Sequence, residues 1–187
     1  EGYATKLDNW VVGENWVAMR RGNATHVSGL GSPVETLMSW VGPSATAKLF
    51  AAAGGGDYDV TVAGVAGAAD FTGATSNRWQ HTMFGTSAGS FLYIVNGQND
   101  PRYYNGTIWT TPALTGTTAA NMVHVNVHKR RLIFTEKNSL SFWYLPVVSV
   151  AGALAEFKLG GLCSLGGYLM ATGTWTRDGG AGIDDFF

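Results

Sequence analysis

His124, Asn126 and His128 have the spacing in this chain best suited to chemistry. Side chains at i, i+2 and i+4 of a β-strand project from one face, so two imidazoles would stand side by side as candidate metal ligands. A tetrahedral site needs further protein ligands, and the other histidines, His26 and His81, lie in different units of the chain. The expectation is a polar strand face without a metal.

The other candidates also read as structure. Residues 177–185 run Arg-Asp-Gly-Gly-Ala-Gly-Ile-Asp-Asp, a composition able to supply oxygen ligands to calcium. The segment lacks the alternating Asp pattern and closing Glu of a helix-loop-helix site, so a long hairpin turn is expected. Gly54-Gly55-Gly56 has neither the Lys-Ser/Thr nor the following helix of a phosphate loop and reads as a turn. Gly85-Thr86-Ser87-Ala88-Gly89 misses the nucleophile elbow by register. Asn23-Ala24-Thr25 and Asn105-Gly106-Thr107 match a glycosylation tripeptide, which carries weight only in a secreted chain. Tyr103, Tyr104, Trp109, Trp143 and Tyr144 are able to stack on sugars, but their matching places in successive repeats favour packing. No catalytic, cofactor-binding or metal-binding residue is assigned, no cofactor is expected, and the chain reads as a non-enzyme.

The elements that would hold these residues are short strands. Lys48 to Thr61 is an apolar run, a glycine turn and a second run opened by Tyr58. Phe91 to Gly106 and Arg131 to Tyr144 repeat that order. Leu49 to Leu92 is 43 positions and Leu92 to Leu132 is 40. A period of about 40–45 residues with strands inside it is the signature of four-stranded propeller blades. The predicted fold is all-β, with propeller-like blades of short antiparallel strands forming part of a larger propeller-bearing subunit. An N-terminal hairpin and connecting segment occupies 1–34, three blade-like repeats occupy 35–77, 78–120 and 121–162, and a fourth begins in 163–187. A weak strand is expected at Asp70–Thr72, a type I′ turn at Asn105-Gly106, and one short helical turn within Val148–Leu154.

Composition narrows the function classes. Lys and Arg number 12 against 13 Asp and Glu, which argues against a nucleic-acid-wrapping or polybasic membrane-binding surface. Charged residues are 13%, well below the roughly 25% of ordinary soluble domains. Aromatics reach 12% and glycine 26 residues, which suits strands, interfaces and tight turns. A single cysteine, Cys163, rules out an intrachain disulfide and is expected to be a small buried hydrophobe. No signal-peptide pattern opens the sequence and no apolar stretch has the length of a membrane helix, so a soluble product is expected. Residues 183–187 read as the opening of a strand.

Taken in order, these motifs resemble the tail nozzle, or tail-hub, proteins of short-tailed bacteriophages, also described as tail tubular or packaged-DNA stabilisation proteins. The likeness rests on Leu7-Asp8-Asn9-Trp10 with Met19-Arg20-Arg21-Gly22, and on Lys48-Leu49-Phe50-Ala51-Ala52 with Tyr58-Asp59-Val60. It continues through Phe91-Leu92-Tyr93 with Pro101-Arg102-Tyr103-Tyr104-Asn105-Gly106, Lys137-Asn138-Ser139 with Trp143-Tyr144-Leu145-Pro146, and Gly173-Thr174-Trp175-Thr176-Arg177-Asp178-Gly179. The resemblance implies a virion component in the phage tail, present in the host cytoplasm during assembly. It further implies a homo-oligomeric, hexameric ring below the portal and adaptor, in contact with other tail proteins. Such a ring retains the genome and conducts DNA without reading its sequence or entering a membrane. The alternative from another class is a carbohydrate-binding propeller, a lectin or phage receptor-binding module.

Overall fold

A computed structural model describes residues 6, 8–20, 22–176 and 184–186. The chain is all-β, built from several small sheets and two single-turn 3-10 segments. β1 (Trp10–Val12) and β2 (Val17–Met19) form the expected hairpin, with Trp10 opposite Met19. β3 (Val27–Ser28) is a two-residue strand whose partner comes later.

The first sheet contains β4 (Val34–Val41), β5 (Ala47–Ala53) and β6 (Gly56–Asp59), antiparallel and in sequence order. Gly54 and Gly55 turn β5 into β6 with φ of 58° and 80°, a two-residue hairpin in which both positions need the left-handed region. β7 (Gly64–Val65) runs parallel to β3. Phe71, expected within a weak strand, makes a single bridge to Asp57 instead.

The second sheet contains β8 (Gln80–Thr86), β9 (Gly89–Val95), β10 (Arg102–Tyr104) and β11 (Trp109–Thr110). The turn between β10 and β11 is not of type I′. Gly106, at its first central position, carries the positive φ (100°), the arrangement of a II′ turn, while Asn105 Oδ1 accepts bonds from the Thr107 and Ile108 amides. β12 (Leu114–Thr115) leads to the third sheet, of β13 (Met122–His128), β14 (Arg131–Glu136), β15 (Ser141–Tyr144) and, beyond β16 (Gly152–Ala153), β17 (Ala155–Lys158). β16 pairs in parallel with β12, so the segment expected to form a helical turn is a strand connection. The alternation along β13 is broken by an irregularity between Met122 and His124. β18 (Thr174–Thr176) and β19 (Asp184–Phe186) form a last antiparallel pair.

Period-two alternation on the middle strand explains the packing. Leu92 and Ile94 of β9 join Met38, Trp40, Phe50, Ala52, Trp79 and Tyr104 in one core between the first and second sheets. Tyr93 and Val95 turn the other way and join Phe84, Val125, Leu132 and Phe134 in a second core, between the second and third sheets. Leu92, Tyr93, Ile94 and Val95 are all fully buried, which is why this run shows no polar face in the sequence. Hydrogen bonds add direction: Trp40 Nε1 donates across the sheets to Ser90 O at 2.9 Å, and Thr36 Oγ1 donates to Asn77 O, in the connection leading to β8, at 2.6 Å.

The turn from β13 to β14 places Lys129 and Arg130 at φ of 45° and 60°, where a side chain costs roughly 1–2 kcal/mol per residue. Replacing the pair by Asn-Gly is expected to raise unfolding free energy by about 1 kcal/mol, read from a shifted urea midpoint at unchanged slope.

Candidate functional site

The richest concentration of ionisable and polar groups lies between the first and second sheets. β5 and β6 pair Ala52 with Asp57 and Phe50 with Asp59, and residues opposite one another in a ladder share a face. Both carboxylates therefore leave the first sheet on the side carrying Phe50 and Ala52. On the second sheet, Arg102 and Tyr104 lie opposite Ile94 and Leu92, and Trp109 opposite Tyr104. An aromatic group fills the space: Phe50 to Tyr104 is 4.8 Å between ring centroids, Phe50 to Trp109 is 5.2 Å, and Phe71 to Trp109 is 5.5 Å.

Each acid has a different environment. Asp59 accepts a bond from Lys48 Nζ at 2.9 Å and from the Thr61 amide at 3.0 Å. Burial pushes its carboxyl up, and those bonds outweigh burial to leave it below the ordinary range. The same bond to Asp59 holds the Lys48 ammonium above its ordinary value. Asp70 is held up, first by desolvation and then by the charge of Asp59. Asp57 is wholly buried and neither carboxylate oxygen has a hydrogen-bond partner among the described residues. Desolvation, then the charges of Asp70 and Asp59, push it up to about 8, so it is mainly neutral at pH 7. Among the described residues, no hydrogen bond of good geometry reaches Tyr104 Oη or Trp109 Nε1. Lys48 and Asp70 are the charged groups near enough to interact with them.

Asp57 is sealed from solvent, and Asp59 is bonded to Lys48 and Thr61. The rings beside them, Phe50 of the first sheet against Tyr104 and Trp109 of the second, join the two sheets.

His124, Asn126 and His128 share one face of β13 as their spacing requires, and Thr174 of β18 sits against them. Asn126 Nδ2 donates to Thr174 Oγ1 at 3.4 Å, and Thr174 Oγ1 lies 3.3 Å from His128 Nδ1. His124 Nδ1 is buried without a partner among the described residues, and burial lowers its pKa. No group of three or more His, Cys, Asp or Glu among the described residues is placed to hold a metal. Most of the calcium-like segment, 177–183, lies outside the described residues. Ser87 is at the tip of the turn between β8 and β9, with Ala88 N bonded to Thr86 Oγ1 at 3.1 Å. Cys163 is exposed, which corrects the expectation of a buried thiol: the stretch around it is a series of turns outside both cores.

The repeated aromatics divide by strand parity. Tyr104 is buried between the first two sheets and Trp109 packs beside it. Tyr103 stacks on Tyr93 at 6.0 Å, and Trp143 packs on the same second core while its Nε1 donates to Glu136 Oε2 at 2.8 Å. Tyr144 points the other way. With Phe142 and Phe157, stacked at 4.9 Å, and Arg131, 5.6 Å from the Tyr144 ring, it forms the face of the third sheet turned away from the second. Sequence reasoning passed over Asp57 altogether. In Gly56-Asp57-Tyr58-Asp59 the acids alternate with tyrosine, the pattern of a solvated strand face.

Comparison with protein-family models, with curated protein sequences and with solved structures finds no match to this chain.

Proposed function

We propose that this chain is a structural module of a bacteriophage tail, part of the nozzle or hub ring below the portal and adaptor, with no reaction to perform. The observation that carries the reading is the fate of the repeated aromatics. Tyr103, Tyr104, Trp109 and Trp143 pack between sheets rather than line a ligand surface. The ordered likeness of the motifs to phage nozzle proteins supplies the assembly, and the low charge suits permanent contacts between subunits. In this reading the sheets are propeller blades, and neighbouring subunits close a ring through head-to-tail contacts. Near-neutral charge lets DNA pass without tight phosphate binding.

Light scattering of the purified protein tests this, with a ring of several subunits expected. A monomer that adds to no purified portal or adaptor ring would overturn it. A second reading, a carbohydrate-binding propeller, is favoured by one observation: the aromatic face of Phe142, Tyr144 and Phe157 with Arg131 at its edge. That reading expects retention on a glycan array, lost when Tyr144 and Phe157 are replaced by alanine. The structural reading expects no retention.

A further inference from the structure

The cleft between the first and second sheets ends in a cavity of about 160 Å³ lined in part by Phe71, Thr72, Trp79, Asp100, Arg102 and Thr111. Arg102 lies opposite Ile94, so its side chain projects from the face of the second sheet turned toward the first. Its guanidinium carbon is 4.4 Å from the centre of the Phe71 ring. No hydrogen bond or ion pair occupies its N–H groups among the described residues. A guanidinium stacked on a ring keeps its edges for donation, and that planar fork matches the two oxygens of a carboxylate. Trp79 lines the same cavity, and its indole N–H is buried with no partner among the described residues. The wall beside them is fixed: Asn99 Oδ1 accepts from the Thr75 amide at 3.0 Å, the Thr75 hydroxyl at 2.9 Å and Asn96 Nδ2 at 2.9 Å.

We infer that this cavity binds the carboxylate group of a small ligand, gripped by the fork of Arg102. A dianion such as phosphate doubles both the pull of Arg102 and the push of Asp100, so its greater desolvation cost in so small a cavity is what disfavours it, and Asp100 on the lining accepts from a hydroxyl or amide beside the bound group. The ligand class is therefore a monocarboxylate with a neighbouring donor. Two sources carry that chemistry, an acidic sugar residue and the C-terminal end of a peptide. The inference stands apart from the tail reading and survives or fails without it.

The test is an NMR titration of the 187-residue chain, following the Trp79 indole N–H and the Arg102 Nε–H signals. Four probes are added separately: glucuronate, glucose, N-acetylglycine and inorganic phosphate. Glucuronate or N-acetylglycine should move both signals, with the stronger of the two naming the source, and glucose and phosphate should move neither at equal concentration. Arg102→Lys keeps the charge but loses the fork, and should weaken carboxylate binding about tenfold or more. Asp100→Asn removes the opposing charge and should tighten it severalfold. The inference is overturned if neither carboxylate shifts these signals, if glucose or phosphate matches them, or if Arg102→Lys binds as tightly as the parent.

Discussion

Asp57→Asn should remove a large part of the stability that this chain loses between acid and mildly alkaline solution. The unfolded carboxyl titrates near the ordinary value of 3.8, while the folded one is pushed up to about 8 by burial and by Asp70 and Asp59. Between those two pH values the folded chain holds a proton that the unfolded chain has released, so stability falls as pH rises. The contribution is fully present below the unfolded value and is gone once pH passes the folded one. A difference of that size corresponds to at most about 6 kcal/mol, against total stabilities of roughly 5–15 kcal/mol for ordinary domains. Asp59 carries the opposite sign, because its folded pKa is lowered, and loses its stabilising share only as pH falls through that value.

Urea unfolding of parent and variant at about pH 5, 7 and 9 checks this. The parent should lose midpoint with rising pH, and Asp57→Asn should lose markedly less, keeping the smaller slope of Asp70, which burial also raises, and the opposite slope of His81 and His124, which burial lowers. Asp70→Asn should fall between them, because it removes the largest of the charge effects on Asp57 and leaves the desolvation in place. Parallel profiles for parent and Asp57→Asn would show that the carboxyl is hydrated in solution and that its burial is not maintained.

The same residue shows where reading the sequence stops. The three strand-turn-strand copies were legible because each central strand, β5, β9 and β14, is a continuous apolar run beside a turn of small or polar residues. The β10–β11 hairpin was legible from Asn105-Gly106, although the turn type was not, since the type depends on which central position takes positive φ. β3 with β7 and β12 with β16 left no trace, because two-residue parallel pairs join stretches far apart in the chain and have no periodicity to display. Asp57 and Arg102 were invisible for a related reason. Their surroundings come from a neighbouring sheet, and nothing within a few residues of either announces what that sheet will place against it. Cys163 shows the reverse error: a residue type usually buried lies in a stretch that packs against neither core.

Truncating the middle strand on either face should give the largest losses in the molecule. Tyr93→Ala removes a fully buried ring from the core shared with the third sheet and is expected to cost about 3–5 kcal/mol. Ile94→Ala, one residue along, empties a site in the core shared with the first sheet and should cost about 2–5 kcal/mol. Consecutive residues usually share neighbours and couple, but these two point to opposite sides of β9 and belong to separate clusters. Their costs should therefore add to within about 0.5 kcal/mol, as they do for distant sites, and the double variant should be largely unfolded. Tyr93 and Phe134, on different sheets with ring centroids 5.5 Å apart, form the contrasting pair, and their coupling should reach roughly 0.5–3 kcal/mol. Two double-mutant cycles in urea separate the cases, using milder partners such as Tyr93→Leu and Ile94→Val if the alanine pair fails to fold. Strong coupling between Tyr93 and Ile94 would mean that the two cores respond as one. Weak coupling there, with strong coupling across the sheets, means that each sheet is stabilised chiefly by the neighbour it faces, so stability is set interface by interface along the stack.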